Sequence, residues 1–476
     1  FHHGEGDLSG TANPATLTMT AAASVTAVFL SDSVAMYPLT KAVSPEGSGT
    51  VMVDPPDGPY PDGTEVMLSA AALPGFLFDH WEGDLTGASN PNSITMTGPI
   101  AATAVFVPDS WANTFGGTGS DTAFAIQSTL DGGYIVAGET DSFGAAGTNM
   151  YLVKLDALGN REWAKVFGGT GNESANAVRQ TADGGYILAG YTNSIGAGGY
   201  DFYVVKTSET GALQWAKPYG GAGDDRARDI LVGTGGYYVL GFTTSSGNTD
   251  MFLLMIDLAG NSLGSKTYGG AGYDAGESIA PANGGGYVLA GNTTSFGATS
   301  VDAYLVKVNS GGEVVWSKTF GTAKPDYISA VIQRSSGWGY VLAGNTTSAD
   351  AGDDEMLLGL TNNDGDAIAV PFGWNKNDHA QAAVAAPDGG HAIAGDTNSF
   401  GAGQSDCCLI LLNSTASIVW QKTYGGAKDD AAEAVARTPD GGYILAGYTY
   451  SFGAGGRDIY VVKTNADGDA PGAPTN

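Results

Sequence analysis

Residues 163–194 read WAKVFGGTGNESANAVRQTADGGYILAGYTNS. An aromatic and a glycine, Phe167 and Gly168, are followed six places after the aromatic by an acid, Glu173. Asp183-Gly184-Gly185 then turns the chain into the apolar run Tyr186–Ala189, which ends in Gly190-x-Thr192-x-Ser194. The pattern recurs along the chain. The aromatic stands at Phe115, Phe167, Tyr219, Tyr268, Phe320, Phe372 and Tyr424, at spacings of 52, 52, 49, 52, 52 and 52, and glycine follows each. The acids six places on are Asp121, Glu173, Asp225, Asp274, Asp326, Asp378 and Asp430. Self-similarity at a fixed period marks a repeat architecture and takes precedence over local assignments.

Each unit predicts four short strands. In the second copy these are Ala175–Arg179, Tyr186–Tyr191, Phe202–Lys206 and Leu213–Tyr219, joined by Gly- and Asp-rich turns with no helical period. Four strands in each unit make the blade of a β-propeller. The expected fold is all-β, a seven-bladed propeller over residues 108–467. The last unit stops after a third strand, Ile459–Thr464, while Trp111–Phe115 stands as an extra fourth-type strand before the first. That strand is expected to complete the seventh blade and so remove a free sheet edge. Trp111, Trp163, Trp215, Trp316 and Trp420 open these fourth strands, with Gly264 and Ile368 at the other two positions. The tryptophans are expected to pack between blades.

Blocks such as Trp163-Ala164-Lys165-Val166-Phe167-Gly168-Gly169 and Asp183-Gly184-Gly185-Tyr186-Ile187-Leu188-Ala189-Gly190 resemble SBBP-type seven-bladed propeller repeats of bacterial and archaeal secreted and surface proteins. The resemblance covers about residues 111–467. It implies the propeller fold and an extracellular setting, and brings no common catalytic residue.

The front of the chain carries a different repeat. Residues 1–29 align with 78–106 at a constant offset of 77, with sixteen of 29 positions identical. The second copy is complete over 37–107, after a linker at 31–36. Its expected strands are Thr50–Asp54, Glu65–Ala71, Gly75–Glu82 and Ile100–Phe106. Gly47-Ser48-Gly49-Thr50-Val51, Tyr60-Pro61-Asp62-Gly63-Thr64 and Phe78-Asp79-His80-Trp81-Glu82-Gly83-Asp84-Leu85 resemble the divergent internalin B-repeat family. That resemblance implies small β modules strung as a stalk. The first copy, residues 1–30, lacks the front half, and Gly4 stands where the second has Trp81. A half-module cannot bury its own apolar face. Three readings stand open: a longer stalk supplies the rest, a neighbouring copy of the chain pairs with it by strand addition, or it is frayed. Residues 468–476 form a Pro/Gly/Ala tail that reads as a linker.

Composition narrows the task. Lys and Arg number 20 against 49 Asp and Glu, a net charge of −29. Nucleic acid is excluded as a partner, since phosphate binding needs clustered cations. No apolar run reaches the roughly 18 residues of a membrane span. Hydrophobic residues at 42%, with 10% aromatics, are enough for packed cores.

The sevenfold acids are the first candidate site. Asp121, Glu173, Asp225, Asp274, Asp326, Asp378 and Asp430 are either oxygen ligands for Ca²⁺ at one mouth of a channel or turn caps accepting backbone N–H groups. Repetition in every unit favours the cap. A second set, Asp201, Asp302, Asp354, Asp406 and Asp458, with Asn149 and Asp250 in the remaining copies, is expected to brace each blade with the Thr and Ser of Gly-x-Thr-x-Ser. Cys407 and Cys408 are adjacent in a third strand, where successive residues face opposite sides. Two packed thiols are expected there, rather than the vicinal disulfide of quinone-dependent propellers. Blades five and six diverge most, and Trp338, Trp374 and His379 are candidate ligand-binding residues.

No motif of a hydrolase, metalloprotease or nucleotide-binding enzyme is present. The sequence therefore predicts a non-enzymatic extracellular structural or cell-surface protein without a resident cofactor beyond Ca²⁺. Its expected partner is a copy of itself, joined through the half-module into a filament or surface layer. The alternative is an adhesin or lectin-like propeller holding glycan or a surface protein.

Overall fold

A computed structural model describes residues 3–29, 34–56, 58–334, 339–347, 354–372 and 376–471. The chain divides into two compact units, Phe1–Pro108 and Asp109–Asn476.

In the first unit, alternating apolar residues build two three-stranded sheets. One sets Ile100–Pro108 between Leu39–Ser44 and Phe76–Gly83, and the other sets Glu65–Ala72 between Gly49–Asp54 and Asn92–Thr95. Trp81, Tyr60, Val66, Leu68, Met96 and Phe106 fill the space between them. Leu39–Ser44 runs parallel to Ile100–Val105. Neither it nor Asn92–Thr95 is announced by the sequence, because both are thinly apolar and at least half exposed.

The partial copy keeps one hairpin, and keeps its register. His3 faces Val28 as His80 faces Val105, and Gly6 faces Val25 as Gly83 faces Ala102. Asp7 Oδ2 accepts the Ser24 N–H at 2.8 Å, as Asp84 Oδ2 accepts that of Ala101 at 2.8 Å. In the complete copy the outer edge of the second strand takes Leu39–Ser44. The matching edge of Val25–Val28 pairs with no strand among the described residues.

The second unit is seven four-stranded antiparallel sheets in tandem, resembling propeller blades. Sheet two is typical: Glu173–Gln180, Tyr186–Thr192, Asp201–Thr207 and Leu213–Tyr219 pair in sequence order. Sheet seven takes its fourth strand from the start of the unit, with Trp111 opposite Lys463 and Phe115 opposite Ile459. One apolar cluster joins Trp111, Phe115, Ala123 and Tyr134 to Ile444 and Ile459, so the first and last sheets share a core.

Two devices recur within and between the sheets. In sheets one, two and seven a buried lysine of the third strand reaches the carboxylate of the Asp-Gly-Gly turn. Lys206 Nζ lies 2.9 Å from Asp183 Oδ2, and Lys154 Nζ 2.9 Å from Asp131 Oδ2. Burial alone would raise the Asp183 carboxyl, but the Thr181 hydroxyl, Lys206 and the Gly185 N–H hold it down to about 2. Between sheets, a tryptophan that opens the fourth strand packs on the next sheet, except in sheets three and five, where Gly264 and Ile368 take its place. Trp163 lies 5.8 Å from Tyr186, and its ring covers Gly211, whose φ is +73°. A Cβ on Gly211 would sit 2.7 Å from that ring. Trp111 with Tyr134 and Gly159, and Trp420 with Tyr443 and Gly468, repeat the arrangement. Sheet six departs from it. His391 replaces the tyrosine, is buried, and neither ring nitrogen has a hydrogen-bond partner among the described residues; burial lowers its proton affinity.

Gly211→Ala is expected to cost about 2 kcal/mol or more in urea unfolding, from left-handed strain plus overpacking against Trp163. Trp163→Ala should relieve part of that cost, so the double variant should be less destabilised than the sum of the singles. Strict additivity would show that the two residues do not meet.

Candidate functional site

Every acid of the sevenfold set heads the first strand of its sheet, and all seven are buried. In sheet two, Glu173 Oε2 accepts the Gly169 N–H at 2.7 Å, while Oε1 accepts the hydroxyls of Thr192 at 2.7 Å and Ser194 at 2.5 Å. Gly117 and Ser142 bind Asp121, Gly221 and Ser245 bind Asp225, and Gly270 and Ser295 bind Asp274 in the same way. Thr322 N–H and Thr346 bind Asp326, Ser399 and Thr397 bind Asp378, and Gly426 and Ser451 bind Asp430. The Thr and Ser of Gly-x-Thr-x-Ser thus serve the first acid set, not the second as the sequence suggests. Thr192 stands opposite both Glu173 and Asp201 in the ladder, and its hydroxyl goes to Glu173.

The second Asp set turns the other way, toward the next sheet. Asp201 takes the Ala197 N–H of its own loop at 3.0 Å, and Asp458 takes that of Ala454 at 2.9 Å. At Gly116, Gly168, Gly220 and Gly269 the glycine of the aromatic-Gly pair lies between the third-strand member of the second set and the following first-strand acid. A Cβ on Gly220 would be 2.3 Å from Asp201 Oδ1 and 2.5 Å from Asp225 Oδ2. On Gly116 it would be 2.2 Å from Asp458 Oδ1 and 2.6 Å from Asp121 Oδ2. The seventh-to-first junction therefore repeats the internal ones. Burial, reinforced by the facing acid, raises Asp201 and Asp302, and lifts Asp458 to about 6 beside Asp121. Where the first-strand acid is the longer Glu173, its partner is the neutral amide Asn149. Among the described residues no three His, Cys, Asp or Glu side chains gather where they could hold a metal ion.

The side chains that face open space are others, and the sequence reading passed over them. Each first strand carries a bulge three residues after its acid, where one residue is left out of the ladder. The bulged residues are Phe124, Asn176, Arg228, Glu277, Ser329, Gln381 and Glu433. All seven line a single cavity of about 450 Å³, walled by the first strands of all seven sheets. The acids, threonines and serines recur from sheet to sheet, whereas the seven bulge positions hold six residue types. That contrast is the signal the sequence offered.

Charged and aromatic groups cluster near Glu433. His379 Nδ1 lies 3.1 Å from Asp396 Oδ2 and His379 Nε2 lies 3.5 Å from Asp354 Oδ2. The Asp396 hydrogen bond, against the opposing effect of burial, raises His379 to about 9. Arg457 pairs with Glu139 at 3.4 Å and lies over the Tyr448 ring at 5.3 Å. Of the sequence candidates His379 is therefore placed in a polar network, while Trp338 and Trp374 lie outside the described residues. Cys407 and Cys408 are free, buried thiols on opposite faces of their strand, and burial pushes both thiols well up.

Residues 39–110 match the Divergent InlB B-repeat domain family. No curated protein sequence matches the chain. Among solved structures, the WD40 β-propeller domain of Doa1 is similar at 10% identity, over 75% of this chain and 96% of that one, with a TM-score of 0.47. Sqt1 from Chaetomium thermophilum is similar at 15% identity, over 71% and 82%, with a TM-score of 0.42. A protein of unknown function from Dyadobacter fermentans is similar at 14% identity, over 75% and 99%, with a TM-score of 0.43. Among the described residues the chain is an all-β repeat protein built largely of tandem four-stranded antiparallel sheets.

The carboxylate pairs carry a pH signature. A carboxyl raised to about 6 in the folded state contributes stability below its unfolded value of roughly 4, and that contribution is lost as pH rises through 6. Asp458→Asn, which copies the Asn149 solution, is expected to melt higher than the parent at pH 8 and to match it at pH 4. Equal melting temperatures at pH 8 would show that the Asp458–Asp121 pair holds no proton.

Proposed function

We propose that the chain is an extracellular, non-enzymatic structural protein in which small β modules carry a closed seven-bladed propeller of the SBBP type, and that the inner cavity of the propeller is its recognition site. The recurrence of the Asp–Gly–Asp junction between sheets seven and one supports closure, as does their shared core. The observation that carries the recognition reading is the set of bulges. Residues that hold the fold are repeated, and the bulged residues that face the cavity are not. A scaffold needs the first property alone; a binding protein needs both.

A second reading keeps self-assembly. The edge of Val25–Val28 that matches the Leu39–Ser44 pairing edge is open among the described residues, and Val25 and Phe29 are half or more exposed beside it. A strand donated in parallel by another copy would supply the missing ladder and cover apolar surface together.

Glycan and peptide arrays probed with the full chain test the first reading. Ser329→Trp, which fills the cavity without touching the acid–glycine junctions, is expected to abolish capture while leaving the melting temperature within a few degrees. Capture that survives the filling would move recognition to an outer face. For the second reading, Ala27→Pro is expected to convert an assembling chain to monomer in analytical ultracentrifugation. A parent chain that is itself monomeric at high concentration would sink it.

A further inference from the structure

The cavity is uneven in charge around its circumference. On one side its ions are matched. Arg179 Nη2 lies 2.8 Å from Asp229 Oδ1, and Arg228 Nε lies 3.3 Å from Glu277 Oε2. Asp229 also accepts the Ile279 N–H at 3.0 Å. On the side of Glu433 they are not. The two cations near it, Arg457 and His379, are already engaged by other carboxylates. Arg457 is taken by Glu139, and His379 by Asp396 and Asp354. Glu433 itself makes no hydrogen bond among the described residues, although it projects from its bulge into the cavity. Burial first, and then Asp396, push its carboxyl up to about 7, with Arg457 and His379 opposing.

An acid left without a partner in a confined space is stabilised by a cation that enters with its own apolar stem. The wall beside Glu433 provides for such a stem. Phe124, the bulged residue of the adjoining sheet, lines the same cavity with Ile126 and Val435. A long aliphatic side chain covers apolar surface while its charged end reaches a polar group. A divalent ion would need six or more oxygens, and no three suitable ligands gather here among the described residues. The net charge of −29 draws cationic partners over distance. Resting on the reading of the cavity as recognition site, we propose that Glu433 anchors a lysine or arginine side chain of a partner polypeptide, inserted into the cavity with its stem against Phe124.

The probe is acetyl-Gly-Gly-Lys-Gly-Gly-amide, titrated into the full chain by calorimetry, with the acetyl-lysine peptide as its neutral twin. Tighter binding of the lysine peptide, weakened at least tenfold by acetylation and by Glu433→Gln, is the expected result. One charge among so many cannot produce that loss through general attraction to an acidic surface. The unmutated chain gives an independent reading. Glu433, faced by Asp396, Arg457, His379 and Tyr448, ionises across pH 6 to 8, while His379, raised to about 9, keeps its charge and Tyr448, raised to about 12, stays neutral. Affinity for the lysine peptide is therefore expected to rise about tenfold over that interval. Flat affinity from pH 6 to 8, or no binding of the peptide, overturns the proposal even where Glu433→Gln fails to fold. Binding equal in Glu433→Gln yet lost in Ser329→Trp removes Glu433 as anchor and leaves the cavity as the site. Binding untouched by either substitution removes both.

Discussion

Two buried carboxylates from neighbouring sheets approach each other across a glycine, and the packing of the repeat unit turns on that contact. A Cβ at Gly220 or Gly116 would overlap a carboxylate oxygen, so no other residue fits between the acids. The acids in turn are occupied: the first-strand member collects an N–H and hydroxyls from its own sheet, and the third-strand member caps its own loop. Like charges this close are costly unless one is neutral. The chain lessens that cost in two ways, by raising the third-strand carboxyl or by placing Asn149 against Glu173. At the outer end of the same interface a tryptophan lies on a second glycine, Gly211 in sheet two. Much of the glycine content follows from these two contacts and from the hairpin turns between them.

The period was plain in the sequence because the residues that make these contacts recur at almost constant spacing. Phe167-Gly168, Glu173 and Thr192-x-Ser194 are each needed in every sheet, so seven copies display them in register. The tryptophans were equally legible, being large, rare and periodic. What the pattern conceals is which acid a hydroxyl serves, since Thr192 stands opposite both Glu173 and Asp201. It also conceals the bulges. An extra residue in every first strand leaves the period unchanged, and the residues concerned share no chemical type. Leu39–Ser44 was hidden for another reason. It joins its sheet from the edge, buries little, and so carries almost no hydrophobic alternation.

Sheet six shows what happens when one contact is released. His391 occupies the tyrosine position, buried and without a hydrogen-bond partner among the described residues, in the sheet that also brings His379 and Asp396 to the rim of the acidic sector. Relaxation of the repeat and concentration of unusual charge occur together there. A polar network that departs from the repeat can be accommodated because each sheet is tied to its neighbours at several points, and the loss of one tie leaves the others.

The bulge has a consequence for how such a chain diversifies. A residue excluded from the ladder donates nothing to strand register, so replacing it leaves the pairing on either side untouched. Seven such positions around one cavity behave like the pins of a lock: each can be cut to a different length or charge while the barrel that holds them keeps its shape. Duplication of the unit would multiply the frame, and later point changes at Phe124, Asn176, Arg228, Glu277, Ser329, Gln381 and Glu433 would write a new key without redesigning the sheet that carries them.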